Sequence, residues 1–152
     1  VRKDILTKAP ELADAYGMDA LRMALVVGNA PGSDLALSNE RVNGYKKFVN
    51  KVWNIARFVL ENTNEEDDTL DIDLDNVHVI KFLEIKKEIT KNIENYQLHL
   101  ASDGMYHYVW HEYADIVIEE IKKDLSPQNK KVLRHLFKQI LVIAHSGRSR
   151  YA

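Results

Sequence analysis

The sequence predicts an all-α protein, an up-down helical bundle preceded by a short helical lead-in. Apolar residues recur at steps of three and four in several stretches, which is the period of a helix with one buried face. No strand-like alternation of apolar and polar residues of useful length appears. The six glycines and three prolines fall mainly between the periodic stretches, where helices are expected to end.

Residues 1–37 form the predicted lead-in. Gly17 separates two short helical stretches, Pro10–Tyr16 and Met18–Val27. The segment 28–34 (GNAPGSD) consists largely of turn residues, so we expect a loop there.

The bundle is predicted to occupy residues 38–146. Ser38 is a candidate N-cap for a long first helix, and Ser126-Pro127 is a start signal for the last one. Residues 62–76 are acidic and poor in apolar anchors, which predicts an exposed connection. The basic residues 147–152 are expected to be a frayed or foreign tail. Three apolar stripes define the later helices: Phe82, Ile85, Ile89, Ile93 and Tyr96; Ala101, Met105, Val109, Tyr113, Ile116 and Val117; Val132, Leu133, Leu136, Phe137, Ile140 and Leu141.

The composition limits the classes of function. In a chain of 152 residues, 45% are apolar, which is enough for a hydrophobic core. The absence of cysteine excludes a disulfide framework, a thiolate metal site and a cysteine nucleophile. No apolar run has the length of a membrane span and no signal-peptide pattern is present, so we expect a cytoplasmic protein without a membrane partner.

Charge is distributed unevenly, although the net charge is only −2. Residues 39–62 carry five basic and two acidic side chains, a local charge of +3. Residues 65–75 carry seven acidic side chains and no basic one. A basic helix beside an acidic loop can bind a polyanion locally while the whole chain stays near neutral.

The helix 39–62 has two chemically different sides when each residue is advanced by 100°. The predicted core side consists of Tyr45, Phe48, Val49, Val52, Ala56 and Val59, and the other side of Lys47, Asn50, Lys51, Asn54, Arg57 and Phe58. Packing in the core does not explain a phenylalanine, Phe58, on that second side. Single-stranded nucleic acid is bound by this combination, because cations neutralise phosphate, amides bond base edges and an aromatic ring stacks an unpaired base. Two alternatives are a solvated charged face and a phenylalanine that packs against another helix or domain.

Four segments resemble class I aminoacyl-tRNA synthetases for branched aliphatic amino acids. Residues 16–22 (YGMDALR) resemble their YGADALR segment, and residues 28–35 (GNAPGSDL) resemble the SGxxPGxDL loop of the valine enzyme. Residues 50–58 (NKVWNIARF) resemble its NKLWNAARF helix, and residues 108–115 (YVWHEYAD) are similar to its FVWxEFCDW helix. The four segments occur in the family's order and cover most of residues 10–125.

The resemblance implies a helical anticodon-binding region that binds valine tRNA. It also implies that Lys51, Arg57 and Phe58 face the tRNA. Valine anticodons share their last two letters, so a bundle that reads those two bases can recognise every valine isoacceptor. The candidate tRNA-binding residues are Lys47, Asn50, Lys51, Trp53, Asn54, Arg57 and Phe58.

The catalytic signatures of the family, the HIGH tetrapeptide and the KMSKS loop, are absent from the sequence. We therefore expect a part of a ligase that holds no cofactor and catalyses nothing alone, while the parent enzyme uses ATP and Mg²⁺. The catalytic and editing domains of the same chain are its expected partners, in a monomer. The final HSGRSRYA departs from the family, which indicates either truncation or a foreign tail.

Other constellations are weaker. His107 and His111 stand four residues apart beside Glu112, but no third ligand is evident, so we predict no metal site. The paired acids at 65–68 lie in the predicted loop, where preorganised acid–base catalysis is not expected. Two functional alternatives remain: the anticodon-binding region of the isoleucine or leucine enzyme, and a helical adaptor that uses Phe58 as an apolar anchor.

Overall fold

The computed structural model describes residues 3–30, 32, 37–68 and 72–149. Every regular element within these residues is helical, so the all-α prediction is confirmed. No helix among them is both long and apolar enough to cross a membrane. The elements are α1 (Lys3–Tyr16), α2 (Met18–Val26), α3 (Asn39–Asn62), a 3₁₀ turn (Glu65–Asp67), α4 (Val77–Glu94), α5 (Leu98–His107), a π-helical segment (Tyr108–Val117), α6 (Ile118–Ile121) and α7 (Pro127–Ser149).

The lead-in contains two helices, as predicted, but the first begins at Lys3 and continues through Pro10. Gly17 separates the helices with a φ of 93°, a conformation that side chains other than glycine rarely adopt. Of the predicted loop 28–34, residues 31, 33 and 34 lie outside the described part of the chain.

The lead-in is fastened to the start of α3. Arg41 donates hydrogen bonds from its guanidinium to the backbone oxygens of Ala24, at 3.1 Å, and Val27, at 2.6 Å. These bonds satisfy carbonyl groups at the C-terminal end of α2, which have no partner within the helix. A small apolar cluster lies beside them: Leu12, Ala20, Leu21, Ala24 and Val42.

Both predicted N-caps are confirmed. The Ser38 hydroxyl accepts a hydrogen bond from the Arg41 backbone N–H at 3.2 Å, and α3 begins at the next residue. α7 begins at Pro127, and the Ser126 hydroxyl accepts from the Asn129 N–H at 3.4 Å.

The main core lies among α3, α4, the α5–α6 helix and α7. Tyr113 is completely buried, and its hydroxyl donates to the Leu133 backbone oxygen at 2.7 Å, which joins the π-helical segment to α7. Burial raises the pKa of the Tyr113 phenol well above its ordinary value. The buried side chains include Phe48, Ile55, Val59, Val79, Phe82, Ile89, Val109, Tyr113, Val117, Val132, Leu133, Leu136 and Ile140.

Each of the three predicted apolar stripes is wrong at one position. Ile116 is 40% exposed, because the segment 108–117 winds as a π-helix, whose i→i+5 hydrogen bonds change the angular step of its side chains. Tyr96 is 77% exposed, since α4 ends at Glu94 and Tyr96 has a φ of 60°. In the third stripe, Leu141 is 47% exposed beside a groove described below.

Candidate nucleic-acid interface on the third helix

The buried side of α3 is rotated from the predicted one. Phe48 and Val59 are buried as predicted, but the fully buried set also includes Val42 and Ile55. Val52 and Ala56, which were predicted to be core residues, are only partly buried. The difference arises because α3 packs against the lead-in at Val42 and against the π-helical segment and α7 along its later turns. The spacing of a single helix does not reveal these neighbours.

Phe58 lies between core and solvent. The prediction that its ring lies away from the core is wrong, because the side chain is partly buried and packs against the main core. The Lys122 ammonium of the α6 C-terminus lies 5.3 Å from the centre of the ring. Lys122 also donates a hydrogen bond to Glu119 at 2.6 Å. The Phe58 ring therefore packs against the core and also lies next to the Lys122 ammonium.

Lys51 is held by the π-helical segment. Its ammonium lies 2.7 Å from an Asp115 carboxylate oxygen and 4.3 Å from the centre of the Trp110 ring. Trp110 in turn stacks on Phe48 and Tyr106 with ring centres 6.0 and 5.9 Å apart. Because two residues hold the ammonium and the rings behind Trp110 are packed, Lys51 occupies a defined position at the edge of α3.

Four predicted residues form an exposed crest along α3: Lys47, Asn50, Asn54 and Arg57. The Arg57 guanidinium lies 3.5 Å from Glu61, and both side chains are nearly two-thirds exposed, at 63% and 64%. Such a pair stabilises the fold only weakly, so the guanidinium can exchange its partner at little cost. We call Lys47, Asn50, Lys51, Asn54, Arg57 and Phe58 together the polar face.

Trp53 lies on the other side of α3 from Lys51 and Phe58. Its side chain is 69% exposed and borders a groove of about 730 Å³ between α3 and α7. We call this the apolar groove; its wall includes Val49, Val52, Trp53, Ala56, Leu60 and Leu141. Six of the seven predicted residues thus lie along the polar face, and Trp53 lies beside Asn50 and Arg57 at the border between that face and the apolar groove.

The two neighbouring histidines stack on each other with ring centres 5.6 Å apart. His107 lies 3.7 Å from Asp103, and His111 lies 3.8 Å from Asp115. Glu112 does not join them, because it accepts a hydrogen bond from Lys81 at 2.6 Å. No group of three or more metal-ligating side chains that could hold an ion occurs in the described residues.

Residues 64–68 of the acidic connection make contacts that the prediction of an exposed connection did not include. Asp67 is buried, and its carboxylate accepts a hydrogen bond from the Asn64 N–H at 2.9 Å. Asp68 accepts from the Lys138 ammonium at 2.8 Å through both oxygens, and this bond lowers the pKa of the Asp68 carboxyl. These contacts tie the connection to α7; residues 69–71 lie outside the described part of the chain.

Three residues beside the polar face were missed from the sequence: Asp115, Glu119 and Lys122. Asp115 and Lys51 are 64 positions apart, and no local pattern indicates that two such distant residues form a pair. Only the packing of α3 against the π-helical segment brings them together.

Comparison with known proteins finds a family model that matches the later helices of this bundle. The family model for the anticodon-binding domain of tRNA ligase matches residues 75–145. A valine–tRNA ligase of Clostridium tetani is 36% identical over 143 residues, which cover 90% of this chain and 16% of the relative. Those of Pelagibacter ubique and Aquifex aeolicus are 33% and 38% identical, over 89% and 74% of this chain and 17% and 10% of their own lengths.

The chain thus spans only 16% of the length of the first of these relatives. No solved structure matches it. The resemblance found in the four sequence segments is confirmed by the family match and by several relatives of one name. Residues 75–145 thus carry the anticodon-binding domain of tRNA ligase, and nearly the whole chain is similar to valine–tRNA ligases.

Proposed function

We propose that this chain is the anticodon-recognition region of a valine–tRNA ligase and that the polar face of α3 binds the anticodon of valine tRNA. The observation that carries the proposal is the coexistence, on one side of α3, of exposed cations, two exposed amides and an aromatic ring with a partly exposed edge. This combination suits unpaired bases on a phosphate backbone. The matches to valine–tRNA ligases support the choice of tRNA.

Each residue of the polar face has a role that follows from its chemistry. Lys47 and Lys51 are point charges suited to phosphate, whereas Arg57 offers a planar fork that can bond a base edge at two atoms. The amides of Asn50 and Asn54 can donate to and accept from base edges. Phe58 offers a ring on which an unpaired base can stack. The ring is firmly placed, since it packs against the core.

In the parent ligase this binding would contribute position rather than chemistry. Holding the anticodon orients the distant acceptor end of the tRNA toward the site where ATP, with Mg²⁺, activates valine. The catalytic and editing domains of the parent are the partners of this chain in that arrangement. The chain itself is proposed to be a non-catalytic, cytoplasmic monomer.

Two stem-loop RNAs that differ only in the last two anticodon letters test this function. The chain should bind the valine stem-loop more tightly. Its affinity should fall with rising salt, because releasing counterions from the phosphates yields less free energy when the surrounding salt is more concentrated. It should give no valine-dependent pyrophosphate exchange. Equal affinity for both RNAs would contradict anticodon reading, and tighter binding to an isoleucine or leucine stem-loop would favour those enzymes instead.

The apolar groove supports a second candidate, a surface that binds an amphipathic helix. Trp53 and Leu60 stand at its rim with 69% and 66% of their side chains exposed. Large exposed apolar residues around a groove are typical of helix binding. In the adaptor hypothesis, Trp53 therefore replaces Phe58 as the proposed apolar anchor. Binding of this kind would be nearly insensitive to salt, which separates it from RNA binding.

A further inference from the structure

The Lys51 ammonium has two neighbours of different kinds, and both belong to the π-helical segment. Trp110 offers the face of its ring at 4.3 Å, and Asp115 offers a carboxylate oxygen at 2.7 Å. The Lys51 side chain is 27% exposed, and that of Asp115 is 49% exposed. An incoming phosphate can therefore reach the ammonium, but it meets the Asp115 carboxylate beside it. π-helical turns are frequently found at functional sites.

We propose that Trp110 and Asp115 control the phosphate contact of Lys51: Trp110 positions the ammonium, and Asp115 is a counter-ion that RNA must displace. The inference rests on the proposed RNA binding by the polar face. Asp115 would then weaken RNA binding without making a favourable contact to base or phosphate. Weaker binding keeps the complex readily reversible.

Displacement rather than joint binding follows from charge and geometry. A phosphate that bonds the ammonium would lie within a few ångströms of Asp115, and like charges repel at that distance even in water. The ammonium does not need Asp115 to stay in place, because the Trp110 ring also attracts it and is itself packed against Phe48 and Tyr106. Removing the Asp115 charge should therefore free a Lys51 that is already in position.

The decisive variant is Asp115→Asn, which keeps the size of the side chain and removes its charge. We expect it to bind both the valine and the altered stem-loop about three- to tenfold more tightly at low salt. The dependence of log affinity on log salt should steepen by up to about 0.7, the value for one phosphate of a single strand. Asp115→Glu should bind like the unchanged protein.

Asp103→Asn is the matched control. Asp103 is similarly exposed, at 45%, lies on the same continuous helix and pairs with His107 instead of Lys51. Its substitution changes the net charge equally but should alter affinity less than twofold. An equal gain in both variants would mean that only overall charge matters, and this would overturn the proposal.

A double-mutant cycle tests whether Asp115 acts through Lys51. In a Lys51→Ala background, Asp115→Asn should lose most of its effect on affinity and all of its effect on the salt slope. Trp110→Leu should weaken binding several-fold in the Asp115→Asn protein, because the freed ammonium then loses its support. Weaker binding by Asp115→Asn alone would overturn the inference, whereas absence of RNA binding by the unchanged chain would overturn the proposed function itself.

Discussion

The two accessible sides of α3 differ in the side chains that they expose and in whether those side chains have partners. On the polar face two of the cations have partners: Lys51 pairs with Asp115, and Arg57 pairs with Glu61. Lys122, next to Phe58, pairs with Glu119. On the side of the apolar groove, Trp53 and Leu60 are exposed and the groove beside them is lined mainly by apolar side chains.

This difference indicates two kinds of recognition on one helix. On a surface of paired ions, phosphate must displace carboxylate, so each contact adds little net free energy. Binding is then strong only where many contacts form together, and it depends on salt. A surface of exposed apolar groups binds favourably to any apolar surface that covers it, with little dependence on salt. If this division is correct, substitutions on the two sides should have separable effects.

The largest effect is expected from Phe58→Ala, because Phe58 belongs both to the polar face and to the edge of the core. The substitution should lower the free energy of unfolding by about 2 kcal/mol, roughly half the cost for a fully buried phenylalanine. It should also weaken binding of the valine stem-loop by about 1–3 kcal/mol through lost stacking. Thermal unfolding and RNA titration measure the two losses.

Phe58→Leu serves as its control, because leucine keeps much of the packing and removes the ring. Its unfolding free energy should recover most of the loss, while its RNA affinity should stay low. Recovery of both would show that Phe58 serves the fold alone and would remove it from the polar face.

Arg57→Ala should affect binding without affecting the fold. The exposed pair with Glu61 contributes at most about 0.5 kcal/mol to stability. If Arg57 bonds a base edge at two atoms, the valine stem-loop should lose about 1–3 kcal/mol of binding and the altered stem-loop much less. Arg57→Lys should not restore the preference, because an ammonium lacks the planar fork. Equal losses on both RNAs would mean that Arg57 contacts only phosphate.

Trp53→Ala should leave RNA affinity unchanged within about 0.5 kcal/mol, since the structure separates Trp53 from Lys51 and Phe58. A side chain that is 69% exposed should also contribute little to stability. The same RNA titration checks this expectation. A loss of about 1–3 kcal/mol, the value of one stacked base, would extend the RNA site around α3 to the groove.

The smallest effect concerns His135 on α7, the far wall of the groove. Burial and, after it, the nearby Lys86 charge lower the pKa of His135 below its ordinary value of about 6.5. The folded protein therefore takes up this proton less readily than the unfolded chain. The stability that depends on neutral His135 is at its full value above about pH 6.5. It falls as the pH drops toward the lowered pKa of His135 in the folded protein.

His135→Gln should accordingly flatten the decline of stability just below pH 6.5, as measured by denaturant unfolding at several pH values. RNA affinity at pH 7.5 should not change. The contribution of Asp68 lies in a separate range, because a lowered carboxyl pKa adds stability that is lost only under more acidic conditions, below about pH 4. An unaltered pH profile in the glutamine variant would show that His135 is not responsible.

Local signals were enough to predict much of the fold. Ser38 and Pro127 start helices through short-range hydrogen bonding and a fixed φ, which neighbouring residues determine. The direction of a helix face depends on what packs against it. This is why the contact of Phe58 with the core and the position of Trp53 at the groove were not predicted.

The partners of the polar face could not be predicted for a related reason. Asp115 and Lys122 meet α3 only after the chain has returned from α4, and their spacing from Lys51 and Phe58 carries no periodic signal. The π-helical segment was also missed, because an apolar stripe at steps of three and four predicts an ordinary α-helix.

That π-helical segment fixes the rotational phase between the two ends of a continuous helix. Removal of a single residue from 108–117 with the i→i+5 hydrogen bonding kept would turn everything that follows by the angular step of one residue. Ile118 and Ile121 would leave the core, and Lys122 would leave the ring of Phe58. The length of this stretch should therefore be under stronger constraint than the identity of most of its exposed residues, with insertions and deletions tolerated far less than substitutions.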